Sequence, residues 1–342
     1  MAKILLFGNL GVFYKDRQQS TVVRVSNIAK KLDSYGHSCS IDYAVMHKFG
    51  NISNLIDGFD IVIFHRIQGS KQTLFDLKQV AAFLRCKQSH KKVIFDFDDA
   101  IFLTYPLITQ LILAQSDLVF AGSHYLYEYA SRFNRNTYLV PSAVDTDVFK
   151  PPIHKAHDKV IIGWHGSVSG HLKNLVSVMP IMQILSNKYD FKFKLLGTAG
   201  SAKFQNYFRR LLPNMEFDFG PERWVAYEEL PKFMSDIDIS ISPLLNSSWN
   251  TGKCAMKALE SMALGIPVVA DAVGEHNFVI RNEYNGFLAN SAQEWINYLS
   301  QLISDGALRE KISSNSREFI VQNYSLDSIS TKIDNIIKPL EK

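Results

Sequence analysis

Short apolar runs alternate with amphipathic stretches along nearly the whole chain, and the pattern runs twice. Runs at 3–7, 39–45, 61–64, 92–97, 117–121 and 137–140 have the length of buried strands, with helical periodicity between them at 21–35, 74–89 and 125–133. Residues 150–158, KPPIHKAHD, interrupt the rhythm with two prolines and mixed polar groups, as a linker does. The alternation then restarts, with strands at 160–164, 191–196, 215–217, 237–242 and 268–270 and helices at 175–188, 203–212, 228–235 and 254–264. Helices at 293–304, 306–321 and 326–338 close the chain. Apolar strands separated by helices imply parallel sheets covered on both faces. The expectation is an α/β chain of two Rossmann-like, doubly wound parallel-sheet domains facing a cleft. Such sheets bind ligands beyond the carboxyl ends of their strands. Function is therefore expected in the loops after Phe7, Phe64, Phe97, Trp164, Ser242 and Ala270.

Composition narrows the chemistry. With 46% apolar and 20% charged residues the chain is an ordinary folding sequence rather than a disordered one. Cys39, Cys86 and Cys254 are odd in number and widely spaced, so they offer no zinc pattern and read as reduced thiols in the cytoplasm. No run approaches the ~20 apolar residues that span a bilayer, and the apolar start at 3–7 is too short for a signal sequence. The net charge of +4 arises within the first 150 residues, which directs any anionic partner, such as a phospholipid surface, to the first half. No dense basic stripe suggests nucleic acid.

The segment 250–270, NTGKCAMKALESMALGIPVVA, concentrates the chemistry. A glycine-containing loop enters a helix near Cys254, and unpaired amides at a helix start attract phosphate. Lys253, Lys257 and Glu260 share one helical face. That set suits a nucleoside diphosphate, the carboxylate taking the ribose hydroxyls. The plain alternative is an amphipathic surface helix with paired charges. A second constellation, VIFDFDDAIF at 93–102, runs a buried strand into Asp96, Asp98 and Asp99. These acids read either as a helix cap or as polar groups at a strand end, where ligands bind. Gly8 and Gly11 after the first strand are too few for a dinucleotide fingerprint.

The 250–270 segment resembles the donor motif of the retaining GT-B glycosyltransferases of the "glycosyl transferases group 1" type. Glu260 matches the second glutamate of that family's Glu-x7-Glu, and Gly265 to Ala270 match its tail. The first glutamate falls on Gly252, and the Gly-Lys-Cys opening matches a subset of the family. VPSAVDTDVFKP at 140–151 resembles the family's interdomain link. The resemblance implies an N-terminal acceptor domain at 1–150, a donor domain at 151–324, and a C-terminal helix at 325–342 that crosses back to the first. It implies sugar transfer from a nucleotide sugar to a sugar, lipid-linked or polysaccharide acceptor, with no metal and no further cofactor. Donor contacts would come from Gly163, Gly166, Lys173, Trp224, Gly252, Lys253, Cys254, Lys257 and Glu260. Catalytic contacts would come from Asp98, Asp99 and Lys173, and acceptor contacts from Gly8, Gly11, Arg24 and Arg66. The location expected is cytoplasmic, with peripheral membrane contact through the first domain. A non-catalytic sugar-nucleotide-binding module and a nucleotide-sugar epimerase are the alternatives on the same fold.

Overall fold

A computed structural model describes residues 1–8, 19–42, 55–67, 73–152 and 158–341. Gly11, the end of the strand expected at 39–45 and the middle of the 150–158 linker lie outside the described residues. The chain forms two compact units. The first comprises Met1–Asp145, Thr251–Cys254 and Tyr324–Lys342, and the second Thr146–Asn250 and Ala255–Asn323.

The first unit holds a parallel sheet of β1 (Lys3–Phe7), β2 (Ser38–Asp42), β3 (Ile61–His65), β4 (Lys92–Phe97), β5 (Leu118–Ala121) and β6 (Thr137–Leu139), in the order β2-β1-β3-β4-β5-β6. Because side chains alternate across a strand, every second residue serves a different core. Leu5, Val62, Phe64, Phe95 and Phe97 pack on one face with Phe83 and Ile112. Ile4, Leu6, Ile63, Ile94 and Phe120 pack on the other with Leu32 and with Ile333 of the C-terminal helix. That helix, Leu326–Ile337, rejoins the unit where Leu326 N–H donates to the Val144 carbonyl at 2.8 Å.

The second unit repeats the plan with β7 (Val160–His165), β8 (Phe191–Leu196), β9 (Glu216–Asp218), β10 (Ile239–Ser242), β11 (Val268–Asp271) and β12 (Phe287–Ala289), in the order β12-β11-β10-β7-β8-β9. All its strands are parallel. Both sheets therefore share the doubly wound α/β plan of the GT-B fold class.

Four local differences from the sequence expectation matter. The helix expected at 175–188 is two helices, Val168–Ser177 and Met179–Ser186, so the loop after β7 is shorter than its glycines suggest. A helix at Pro106–Gln115 and the edge strand β12 were not expected at all, the helix carrying apolar residues on both its buried and its exposed sides and the strand being only three residues long. The helix at 21–35 contains a π-helical stretch, Val22–Ser26, which carries Arg24. The helix expected to open at Cys254 opens instead at Met256, after Ala255 takes a left-handed conformation with φ 53°.

Candidate functional site

Each unit gathers polar side chains at the carboxyl ends of its central strands. In the first unit His65 and Asp96 are register partners on β3 and β4. His65 Nδ1 lies 2.8 Å from Asp96 Oδ2. Asp96 also receives the Arg24 guanidinium, whose Nε donates at 2.9 Å and whose Nη2 makes a further close contact. Burial opposes ionisation of Asp96, but Arg24 and then His65 outweigh it and hold the pKa at about 2. An ionised Asp96 accepts a hydrogen bond from Nδ1–H, so the tautomer follows from the partner. His65 Nε2 is buried and has no hydrogen-bond partner among the described residues. Arg24 was expected at an acceptor. It is buried and spends its remaining donors on the Val140 carbonyl at 3.0 Å and Ser142 Oγ at 3.3 Å, so it acts as an internal strut.

Strand β4 ends at Phe97, which leaves Asp98 and Asp99 beyond the sheet. Neither caps the following 3-10 turn Ile101–Leu103, which has no side-chain cap. Their carboxylates face cations instead. Arg66, itself at φ 50°, pairs with Asp98 at 3.1 Å and closely with Asp99. Burial opposes ionisation of Asp98, yet Arg66, His65 and Arg24 together hold it below the usual carboxylate range. Lys253 Nζ donates to Asp99 Oδ1 at 2.7 Å. Cys254 Sγ lies 3.2 Å from the Asp98 carbonyl, and Ser123 Oγ donates to the Gly252 carbonyl at 3.2 Å.

Residues 252–254 were expected to begin the donor helix, but they pack within the first unit. A Cβ on Gly252 would come within 2.8 Å of the Ala100 Cβ. A side chain there would have to displace Ala100 or the loop. Gly8, at the end of β1, donates its amide to the Asp42 carbonyl at 3.1 Å.

In the second unit β7 ends in Trp164-His165-Gly166. Gly166 (φ 137°) and Gly197 (φ 122°) bring two backbones together, since a Cβ on Gly197 would sit 1.6 Å from the Gly166 oxygen. Gly163 is a packing residue, because a Cβ there would collide with Ile237 at 2.4 Å. It lies inside the strand.

Lys257, on the helix Met256–Ala263, runs past Gly166, with a methylene 3.4 Å from where a Gly166 Cβ would stand. Its Nζ is 3.3 Å from His171 Nε2 and 5.8 Å from the centre of the Trp164 ring. Lys173, the cation expected here, stands exposed on the helix Val168–Ser177. Glu260 was expected to present an open carboxylate. Instead it is 1% exposed, and its Oε2 is 2.7 Å from His165 Nε2. Trp224 lies exposed in the loop after β9.

Sequence reasoning missed three polar groups of this unit. Asn174 Oδ1 accepts from the Leu245 amide and from Asn250 Nδ2, both at 3.1 Å, and so pins the loop after β10. His276 lies 3.0 Å from Ser242 Oγ and 2.9 Å from the Asp271 carbonyl. Burial keeps it neutral, with a pKa lowered to about 4. The signal for Ser242 and His276 was their position after strand ends; for Asn174 there was none. Among the described residues no three His, Cys, Asp or Glu side chains converge as metal ligands would.

Comparison with known proteins bears on both units. Residues 159–305 match the family model described as Glycosyl transferases group 1. Over 333 residues the chain is 23% identical to the D-inositol 3-phosphate glycosyltransferase of Corynebacterium aurimucosum, covering 89% of this chain and 73% of that protein. A shorter match, 28% over 131 residues, is to the GDP-Man:Man(3)GlcNAc(2)-PP-Dol alpha-1,2-mannosyltransferase of Dictyostelium discoideum, covering 37% of this chain and 23% of that protein. Among solved structures the fold is similar to sucrose-phosphate synthase from Thermosynechococcus elongatus, with a TM-score of 0.75 at 14% identity, covering 100% of this chain and 99% of that one. It is also similar to Anabaena HepE in complex with UDP, with a TM-score of 0.71 at 14% identity, covering 98% and 100%.

Proposed function

For a chain that these matches make a glycosyltransferase, we propose transfer of a sugar from a nucleoside-diphosphate sugar to an acceptor hydroxyl, with retention at the anomeric carbon, in the making of a glycan, glycolipid or polysaccharide. The observation that carries this reading is Lys257 beside Gly166 at the end of β7. A glycine turn lets phosphate oxygens approach backbone, and an ammonium beside it offsets charge that builds on a leaving diphosphate. HepE, which shares the fold, is described with UDP and with UDP-glucose, in keeping with a nucleoside diphosphate here.

In this reading Glu260 holds His165 in place beneath the diphosphate, and Trp224 offers its exposed ring to the base. Asp98 and Asp99 accept hydrogen bonds from hydroxyls of the transferring sugar or the acceptor. Retention follows if the leaving diphosphate oxygen takes the acceptor proton on the same face, which asks for no protein base. No cofactor beyond the nucleotide sugar enters. A cytoplasmic setting suits three cysteines outside any disulfide.

Thermal-shift measurements with UDP, GDP, ADP and dTDP test the proposal. One nucleotide should raise the melting temperature, with stabilisation of about 2.7 kcal/mol at a hundredfold excess over Kd. Lys257→Ala should abolish that shift and lower turnover by about 10²–10³-fold. Full turnover in Lys257→Ala, or no response to any nucleotide, overturns it. Product anomeric configuration by NMR tests retention separately.

A further inference from the structure

Beyond the carboxyl ends of β3 and β4 two buried acceptor atoms of the first unit, His65 Nε2 and Asp98 Oδ1, have no hydrogen-bond partner among the described residues. His65 is 3% exposed, and its Nδ1 is committed to Asp96 at 2.8 Å. In the neutral ring Nε2 therefore keeps its lone pair and can only accept. Asp98 Oδ1 lies 3.1 Å from Arg66 Nε, an ion pair without the alignment of a hydrogen bond. Despite burial, Arg66, His65 and Arg24 hold the Asp98 carboxyl below the usual carboxylate range, so it too can only accept. Buried polar atoms of folded proteins are nearly all paired. Two acceptors left over where a parallel sheet binds its ligand therefore describe that ligand: it brings hydrogen-bond donors.

Charge narrows the class further. Arg24 pairs closely with Asp96, Arg66 pairs with Asp98 and closely with Asp99, and Lys253 Nζ donates to Asp99 at 2.7 Å. The cations of the cluster meet carboxylates of equal number, which leaves no surplus charge for an ion. A phosphate or carboxylate on the ligand would bring acceptors to atoms that already accept. It would also have to break one of these buried pairs to find a donor. A hydroxyl brings the donor that both atoms lack and adds no charge. In the second unit, by contrast, the buried unpartnered atoms include the Trp164 indole N–H and the Thr198 hydroxyl, both able to donate.

We propose that the first unit selects an acceptor glycan whose recognised part carries uncharged hydroxyls, and that His65 Nε2 and Asp98 Oδ1 each accept a hydrogen bond from one of them. His65 is then a specificity-determining residue, and Asp96, held in turn by Arg24, positions it by fixing its tautomer. An anionic group is refused by the paired charges rather than by shape, which is discrimination by an unfavourable contact with the wrong ligand. The proposal rests on the sugar-transfer reading for the nature of the ligand, but the binding it describes is measured without a donor.

Binding of the full chain to an array of immobilised glycans tests it, with uncharged oligosaccharides beside oligosaccharides that bear phosphate or uronic acid groups. Binding is expected to uncharged glycans alone. His65→Phe keeps a ring without the lone pair and should weaken that binding about tenfold. His65→Gln, whose amide oxygen can accept, should recover part of the loss. Asp99→Asn removes one negative charge beside Arg66 and Lys253 and should admit anionic glycans. A merely structural His65 would lower the melting temperature of both substitutions alike and leave the array pattern of the wild type. Preference of the wild type for anionic glycans, binding to no uncharged glycan, or an unchanged pattern in His65→Phe overturns the proposal. Melting shifts with UDP, GDP, ADP and dTDP are read on the same preparations. Their absence counts against the sugar-transfer reading alone, and the array is scored whether or not they appear.

Discussion

The two units build the same sheet and end their central strands in opposite chemistry. Beyond β3 and β4 the first unit collects Arg24, Arg66 and Lys253 against Asp96, Asp98 and Asp99, and these pair with one another. Beyond β7 the second unit holds the buried carboxylate of Glu260 against an imidazole, with Lys257 resting against a second imidazole and an indole. The topology makes a strand-end crevice in both. The first is ordered by its own ion pairs, and in the proposed function the second takes an anion brought from outside. An anionic acceptor group, for which Arg24 and Arg66 were candidates, would have to compete with carboxylates already in place. A neutral hydroxyl would not.

The largest expected effect tests whether the first cluster is a pre-formed strut. Asp96→Ala leaves Arg24 buried without its main counter-charge and should cost about 3–5 kcal/mol in denaturant unfolding. A loss below 1 kcal/mol, measured against the ~0.5 kcal/mol of an ordinary surface change, would mean the pairs are incidental.

Acid separates the units next. His276 of the second unit falls from 6.5 to about 4 through burial, so the native state binds fewer protons than the unfolded chain in that window. Its contribution is whole above pH 6.5 and is lost as pH falls toward 4, about 3 kcal/mol in all. Asp96 of the first unit falls from 3.8 to about 2, so its contribution, about 2 kcal/mol, is whole above pH 3.8 and is lost only as pH drops toward 2. Hydrogen exchange followed through acid should show the second unit loosening first. His276→Asn should flatten the higher limb alone. Simultaneous loss in both units would erase the contrast.

A smaller effect concerns the loop that joins the first cluster. Gly252→Ala forces a methyl onto Ala100 and should cost about 1–3 kcal/mol in thermal or denaturant unfolding. An unchanged melting temperature would show that the loop yields easily. The smallest change expected is in Lys173→Ala. This residue is exposed, and its loss should alter stability by no more than about 0.5 kcal/mol and turnover by no more than about twofold. A large fall in turnover would transfer to Lys173 the role proposed for Lys257.

Most strands were legible in the chain because a buried parallel strand is a near-continuous apolar run; IVIFH and KVIFDF permit little else. The helix at Pro106–Gln115 escaped because periodicity needs two unlike faces, and this helix mixes apolar with a few polar residues on both. Strand β12 escaped because three residues carry no period. At the sites, the strand-end rule directed attention to the loops after Phe64, Phe97, Trp164 and Ser242. It could not say which charged groups would close on each other, since Arg24 and Asp96 are 72 residues apart and Lys253 and Asp99 are 154 apart.

Residue order alone was enough to determine two parallel sheets with flanking helices, because that property follows from local periodicity and from the way apolar runs must be buried. Only the folded chain decided that Gly252, Lys253 and Cys254 serve the first unit, that Glu260 turns inward to His165, and that Leu107 and Leu111 turn outward while Leu113 is buried. Those outcomes depend on distances between groups remote in sequence. A buried charge accepts whichever partner the packing brings within about 3 Å, and no pattern of spacing along the chain encodes that meeting.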